Sequence, residues 1–248
     1  MLLNAKTQRR KDAEIKSSCL GRRSLSLVVP VYNAPELAQR VLAALPTLAA
    51  RAATCGFELI EAIFVDDGSQ PQLEPSSFTF HPSAFTFRLL RNAENRGKGC
   101  SVRRGALEAK GDWVLMSDVD MSAPFDEFPK LAARADAWMV CGSRHGRPGM
   151  PLRRRVLSWL FHLCVKLVGV KGIHDTQCGF KLFRMDVMRP LFDAQRIERF
   201  AFDVELIRRV QDKGGEVAEV PVKGDGGARS SLRVLRDAPR MLFDLIRF

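Results

Sequence analysis

Short apolar runs alternate with longer Ala/Leu-rich or amphipathic stretches through the first two thirds of the chain. Leu25–Val29 is a predicted buried strand, and Pro30-Val31-Tyr32-Asn33 ends it. Pro35-Glu36 suits the first turn of a helix, which continues through the Ala/Leu-rich segment, with Pro46 expected to kink or split it. Leu59–Val65 is the second strand, closed by Asp66-Asp67-Gly68-Ser69, and a Pro/Ser-rich loop over 70–84 follows. Phe85–Leu90 alternates as a strand does, and a helix is predicted from about Ser101 to Lys110. The run from Asp112 begins as a buried strand and ends in Asp118-Val119-Asp120. A helix over Asp126–Ala135 and a strand over Ala137–Gly142 complete the alternation, which predicts a parallel, doubly wound α/β sheet.

The rhythm changes after Pro151. Arg153-Arg154-Arg155 precedes a helix with apolar positions Leu157, Leu160, Phe161, Cys164 and Leu167 at helical spacing. Its simplest reading is a core helix; the alternative is an interfacial helix whose arginines meet anionic headgroups at about 1 kcal/mol each. His174–Phe183 joins polar groups to an apolar strand, Phe200–Leu206 opens a helix, and Glu216–Val222 is a last strand. Asp203 and Glu205 are candidate helix caps, or one of them faces a site. The tail, Leu232–Phe248, sets Leu235, Ala238, Leu242 and Leu245 apart from most of its arginines, as a basic amphipathic segment does.

Charge changes this picture more than size does. The 248 residues carry a formal net charge of +11, which favours anionic partners: nucleic acid, a membrane surface or phosphorylated ligands. The chain has one tyrosine and no recognised nucleic-acid module, so nucleic acid is the disfavoured partner. The six cysteines form no CxxC pair, and several lie in apolar runs, which favours reduced thiols over a disulfide framework or zinc site. Residues 1–23 are polar and basic, read as a flexible leader without a signal-peptide core. No apolar run has the length of a membrane span. The expected layout is that leader, one domain over 24–223, and a membrane-facing segment over 224–248.

The candidate chemistry sits where predicted strands end. In an extended backbone, Asp118 and Asp120 point the same way, and two like charges side by side call for a cation between them. A divalent ion carrying phosphate oxygens suits such a pair, whereas an isolated Asp-x-Asp is more often a turn or cap. Asn95-Arg96-Gly97-Lys98-Gly99 matches neither a dinucleotide nor a P-loop fingerprint. Its glycines allow close backbone approach, and Lys98 is either a diphosphate or base contact or a solvated turn lysine.

Taken in order, Pro30-Val31-Tyr32-Asn33, Val65-Asp66-Asp67-Gly68-Ser69, Asn95–Gly99 and Asp118-Val119-Asp120 resemble the inverting family 2 glycosyltransferases of the GT-A fold. Cys141-Gly142-Ser143-Arg144, Val170–Phe183 and Glu198–Leu206 narrow the resemblance to the dolichyl-phosphate β-glucosyltransferase branch, over roughly residues 24–222. The resemblance implies a Rossmann-like, mostly parallel sheet flanked by helices, with C-terminal amphipathic helices. It implies transfer of glucose from UDP-glucose to a dolichyl or other polyprenyl phosphate, with Mg²⁺ or Mn²⁺, at the cytoplasmic face of a membrane to which the protein is peripherally bound.

The same resemblance places Pro30, Tyr32, Glu36 and Asp67 along the uridine, with Lys98 and Asp118 near the nucleotide. It puts the metal on Asp120 with Asp118 beside it. Arg144 and Lys181 would meet the acceptor phosphate or the donor diphosphate, and Asp175 and Asp203 would support the acceptor side. Gly224, where relatives commonly have an aromatic, and Ser230-Ser231-Leu232, where a Ser-Lys pair is frequent, depart from the pattern. The hydrophobic N-terminal anchor of eukaryotic relatives is also missing, which points to a prokaryotic-type or peripheral version and leaves the prenol open. The competing expectations are a GDP-mannose-dependent relative, an enzyme with a soluble acceptor, a nucleic-acid-binding protein, and a scaffold without activity.

Overall fold

A computed structural model describes residues 22–78, 85–144, 165 and 168–224. Most of the expected leader, the helix predicted after Arg153-Arg154-Arg155 and the tail segment beyond Gly224 lie outside the described residues.

The strands are β1 (Arg23–Val31), β2 (Phe57–Asp66), β3 (Thr86–Arg91), β4 (Trp113–Ser117), β5 (Met139–Ser143), β6 (Phe180–Arg184) and β7 (Val217–Pro221). Among the described residues the α-helices are α1 (Pro35–Thr54), α2 (Lys98–Glu108), α3 (Phe128–Ala132), α4 (Met185–Asp193) and α5 (Phe202–Asp212). One seven-stranded sheet runs in the order β3-β2-β1-β4-β6-β5-β7. The pairs β1–β2, β1–β4, β2–β3 and β5–β7 are parallel; β6 runs antiparallel to both of its neighbours, β4 and β5. The expected parallel α/β sheet is therefore present with one reversed strand. The alternation rule missed it because strand direction depends on tertiary pairing that a local pattern does not encode.

Buried strand residues feed two cores, one on each face. α1 packs Val41, Leu45 and Leu48 on one side with Phe64, Leu115 and Phe180. On the other, α2, α4 and α5 pack Val102, Phe192 and Phe202 with Val28, Met116 and Phe183. The α1 helix stays continuous through Pro46. The helix expected over Asp126–Ala135 is a 3₁₀ turn, Phe125–Glu127, leading into the short α3. Pro129 falls in the first turn of α3, where its missing N–H costs nothing.

The two ends of the sheet differ. At the end where β1 begins, Glu61 is buried and accepts from the Ser26 hydroxyl at 2.8 Å, the Lys110 N–H at 2.6 Å and Arg88 Nη1 at 3.0 Å. At the opposite end lie the carboxyl termini of the parallel strands. β1 is the point where the sheet order reverses, with β2 on one side and β4 on the other. Ligands of open α/β sheets bind in the crevice at such a point.

The Glu61 network is far from that crevice and reports on the fold alone. Burial pushes its carboxyl up, but the Lys110 N–H, the Ser26 hydroxyl and Arg88 outweigh burial and hold it below the usual range. A depressed acid contributes stability above its unfolded value, about 4.3, and loses it as pH falls through the folded value. Glu61→Ala is expected to cost about 2 kcal/mol in urea unfolding at neutral pH. The gap to the unsubstituted protein should narrow as pH drops below about 4; a gap that does not depend on pH would contradict this account.

Candidate active site

The crevice is built from chain segments that leave the sheet at one edge. Pro30 lies two positions past Val28, and Asp118 two positions past its partner Met116, so both emerge at the same level. Tyr32 follows immediately and is the one large hydrophobic residue exposed among those described. Glu36 is exposed in the first turn of α1.

Asp67 does not offer its carboxylate to the crevice. It is buried and accepts from the Asn92 side-chain N–H at 2.8 Å, the Arg96 N–H at 3.1 Å and the Gly97 N–H at 2.8 Å. Three donors on one carboxylate fix the chain at Gly97, where α2 begins, so Asp67 organises the start of α2. Its neighbour Asp66 is also buried, paired with Arg91 and accepting from the Ser69 N–H at 2.9 Å. Asn92, which ties Asp67 to the Ser101 hydroxyl at 3.1 Å, was not singled out in the sequence, because a lone Asn after a strand reads as a turn residue.

The Gly97-Lys98-Gly99 turn rests on residues 195–199. Gly97 has φ of 113°, and an added Cβ would lie 2.7 Å from the Glu198 carbonyl oxygen. The Gly99 carbonyl accepts from Gln195 Nε2 at 3.0 Å, and the Cys100 N–H donates to the Glu198 carbonyl at 2.8 Å. Arg96 and Glu198 form an ion pair across this junction. Lys98 is thereby aimed inward, and its Nζ lies 2.6 Å from Asp118 Oδ1. It is a crevice residue and not a solvated turn lysine.

Asp118 and Asp120 are brought together differently from the expected extended strand. β4 ends at Ser117, and the Met121 N–H donates back to the Asp118 carbonyl at 3.0 Å, which makes a turn. Met121 takes a positive φ of 46° there. Asp120 Oδ1 accepts from the Ser122 N–H at 3.0 Å. Burial raises the Asp120 carboxyl above its ordinary range and the charge of Asp118 raises it further; Lys98 and Arg144 oppose this.

Arg144 leaves the end of β5 at the same edge of the sheet. Its Nε lies 3.1 Å from Asp175 Oδ2, and its Nη2 donates to the Gln177 carbonyl at 3.0 Å. Asp175 is itself held, because its N–H donates to Glu219 Oε1 at 2.7 Å. Burial pushes Asp175 up, but Arg144 outweighs it and holds the carboxyl below the usual range. Gly224 lies beside Arg144: an added Cβ would be 3.3 Å from Arg144 Cγ and 3.2 Å from the Ser122 carbonyl oxygen.

Lys181 and Asp203 require a correction. Both are fully buried beneath the crevice, with Lys181 Nζ 2.8 Å from Asp203 Oδ1 and donating to the Cys178 carbonyl. A buried, paired ammonium does not meet a phosphate, and a buried, paired carboxylate does not touch an acceptor. Nor do Asp203 and Glu205 cap α5: Glu205 accepts from the Arg196 and Ile197 N–H groups and pairs with Arg209. The described cysteines, 55, 100, 141 and 178, are free thiols, as expected.

Among the described residues no group of three or more His, Cys, Asp or Glu side chains could hold a metal. The Asp118–Asp120 pair still fits a divalent ion that completes its shell with ligand phosphates and water. Both groups supply hard oxygens, and Asp118 lies near enough to Asp120 to raise its carboxyl, second to burial.

Comparison with known proteins adds to this geometry. Residues 26–192 match the family described as glycosyl transferase family 2. The chain is 34% identical to a dolichyl-phosphate beta-glucosyltransferase of Dictyostelium discoideum, over 90% of this chain and 73% of that protein. It is 34% identical to the one of Homo sapiens, over 89% and 72%. Its fold is similar to that of a glucosyl-3-phosphoglycerate synthase from Mycobacterium tuberculosis, solved in complex with Mn²⁺, UDP-glucose and phosphoglyceric acid. That likeness has a TM-score of 0.64 at 17% identity, over 90% of this chain and 77% of the other. A mannosyl-3-phosphoglycerate synthase from Rubrobacter xylanophilus shares the fold with a TM-score of 0.63 at 17% identity, over 96% and 74%.

The role found for Asp67 is open to test. Asp67→Ala leaves the Gly97 N–H and the Asn92 amide without their buried acceptor. The expected loss is about 2–4 kcal/mol in urea unfolding, with weakened nucleotide binding as the Lys98 turn loosens. Unchanged stability would return Asp67 to a direct ligand role.

Proposed function

The chain belongs to glycosyl transferase family 2, and from that membership we propose that it transfers glucose from UDP-glucose to a dolichyl or other polyprenyl phosphate with inversion. The relatives named above support the sugar and the lipid class, and the synthase of similar fold supports the donor. The observation that carries the reading is the convergence of Lys98, Asp118 and Asp120, with Arg144 near Asp120, at one edge of the sheet.

The acceptor makes a protein base unnecessary. A phosphate monoester has its second pKa near about 6, so it is largely a dianion at neutral pH and attacks the anomeric carbon directly. What remains is to hold two phosphate groups in line despite their repulsion and to stabilise the leaving UDP. Arg144, pre-set by Asp175 and the Gln177 carbonyl, supplies a fixed guanidinium for the acceptor side. Lys98 supplies an ammonium for the diphosphate, moving from Asp118 as the nucleotide enters. Pro30 and Tyr32 line the base side, and Glu36 lies at its rim. Asp120 and Asp118 would hold Mg²⁺ or Mn²⁺, which when bound offsets charge on the departing diphosphate as a Lewis acid.

Residues 24–223 form the catalytic domain in this reading, and the basic amphipathic segment over 224–248 faces the membrane from its cytoplasmic side. No helix among the described residues is long and apolar enough to cross a membrane.

The test is a panel of labelled nucleotide sugars against short polyprenyl phosphates, scoring glycolipid and UDP release. Glucose from UDP-glucose should appear in the lipid only when the lipid phosphate is present. Transfer from GDP-mannose instead, or to a soluble sugar without lipid, would replace this reading. Asp120→Ala should lower transfer by on the order of 10²–10³-fold while the circular dichroism spectrum is kept. Full turnover in that variant would remove the role given to Asp120.

A further inference from the structure

We propose that Lys181 and Asp203 are positioning residues: their buried ion pair fixes the Cys178–Gly179 peptide, and that peptide is the seat on which the Asp118 carboxylate lies. The inference rests on the proposed nucleotide-binding role of Asp118.

Three contacts join the pair to Asp118. Lys181 Nζ donates to the Cys178 carbonyl while lying 2.8 Å from Asp203 Oδ1. The next carbonyl, that of Gly179, accepts the Asp118 N–H at 2.8 Å. A Cβ added at Gly179 would fall inside the Asp118 carboxylate, so the carboxylate rests directly on the Gly179 backbone. Gly179 immediately precedes β6, and Lys181 is the second residue of that strand.

Asp203 gives the pair its second attachment. It lies in the first turn of α5, and the segment leading into α5 supports Gly97 and Gly99. Both partners of the Lys98–Asp118 ion pair are therefore supported by elements that the buried pair ties together: Lys98 through residues 195–199, Asp118 through Gly179. The charges alternate from Lys181 through Asp203 and Lys98 to Asp118, and Asp203 senses both Lys98 and Asp118.

Stability does not explain such a pair. Replacing a buried ion pair by well-packed apolar groups is frequently neutral or stabilising, whereas removing one partner strands a charge. A pair retained for stability alone would be expendable as a unit; one retained for position would not.

The experiment follows from that difference. Lys181→Met combined with Asp203→Leu removes both charges together. The double variant should keep its circular dichroism spectrum and melt no lower than the unsubstituted protein. Its affinity for UDP in MnCl₂, by titration calorimetry, should fall about 10–100-fold, the usual cost of losing a supporting contact. Gly179→Ala, with the pair intact, should show a similar loss by displacing Asp118. Binding within about twofold of the unsubstituted protein in the folded double variant overturns the proposal. Should the double variant fail to fold, the same result in Gly179→Ala overturns it. Unsubstituted protein that binds UDP but transfers no glucose overturns the proposed function and leaves this inference standing; absence of UDP binding overturns both.

Discussion

The ion pair between Lys98 and Asp118 spans the point where the sheet order reverses, and the rest of the crevice is arranged around it. Lys98 arrives from the β3 side, on a glycine turn that Asp67 and residues 195–199 hold in place. Asp118 arrives from the β4 side, on Gly179, the residue just before the antiparallel strand β6. Neither charge is placed by its own element alone. Each is set by backbone from another part of the chain, which is how a short lysine–carboxylate distance is kept at the end of two strands that do not pair with each other.

Arg144 is placed in the same way. Its guanidinium is set by Asp175, and Asp175 is set in turn by Glu219 on β7. Burial pushes Glu219 up, but the Asp175 and His174 N–H groups outweigh it and hold it below the usual range, so it serves as an ionised acceptor. Many arginines of this basic chain are spent in the same manner: Arg88, Arg91, Arg96 and Arg208 all pair with carboxylates in the described structure. The +11 charge read from composition is thus partly taken up in guanidinium–carboxylate pairs, some buried and some at the surface, which composition cannot distinguish from a binding face.

Much of the fold was legible because the strands are buried on both faces and read as apolar runs. β1, β2, β4 and β5 fall where the runs predicted them, within a residue or two. What failed did so for identifiable reasons. β6 was seen as a strand, but its direction depends on tertiary pairing that no local pattern encodes. α4 was not foreseen, because Pro190 and the charged Asp186 and Arg189 obscure its apolar stripe. Lys98, Asp118, Asp120 and Arg144 lie near one another at one edge of the sheet, where their positions after strands and the family resemblance had put them. Asp67, Lys181 and Asp203 were given ligand roles because sequence shows charge and not burial. The signal for Lys181 was available in part: it sits between Phe180 and Leu182 in an apolar strand, where a buried partner is the cheaper way to keep an ammonium.

The reversed strand has a consequence for how the protein is made. β4 can pair with β1 as soon as both have been synthesised, yet the carbonyl that receives the Asp118 N–H belongs to Gly179, some sixty residues further on. A nascent chain stopped before Phe180 leaves β4 with an open edge and its acidic turn without a floor. Long-range pairing of this kind is slow to form, because loop closure is costly until distant contacts reward it. Lys98 waits in the same way on residues 195–199, so neither charge of the pair is in place until chain well beyond β5 has been made.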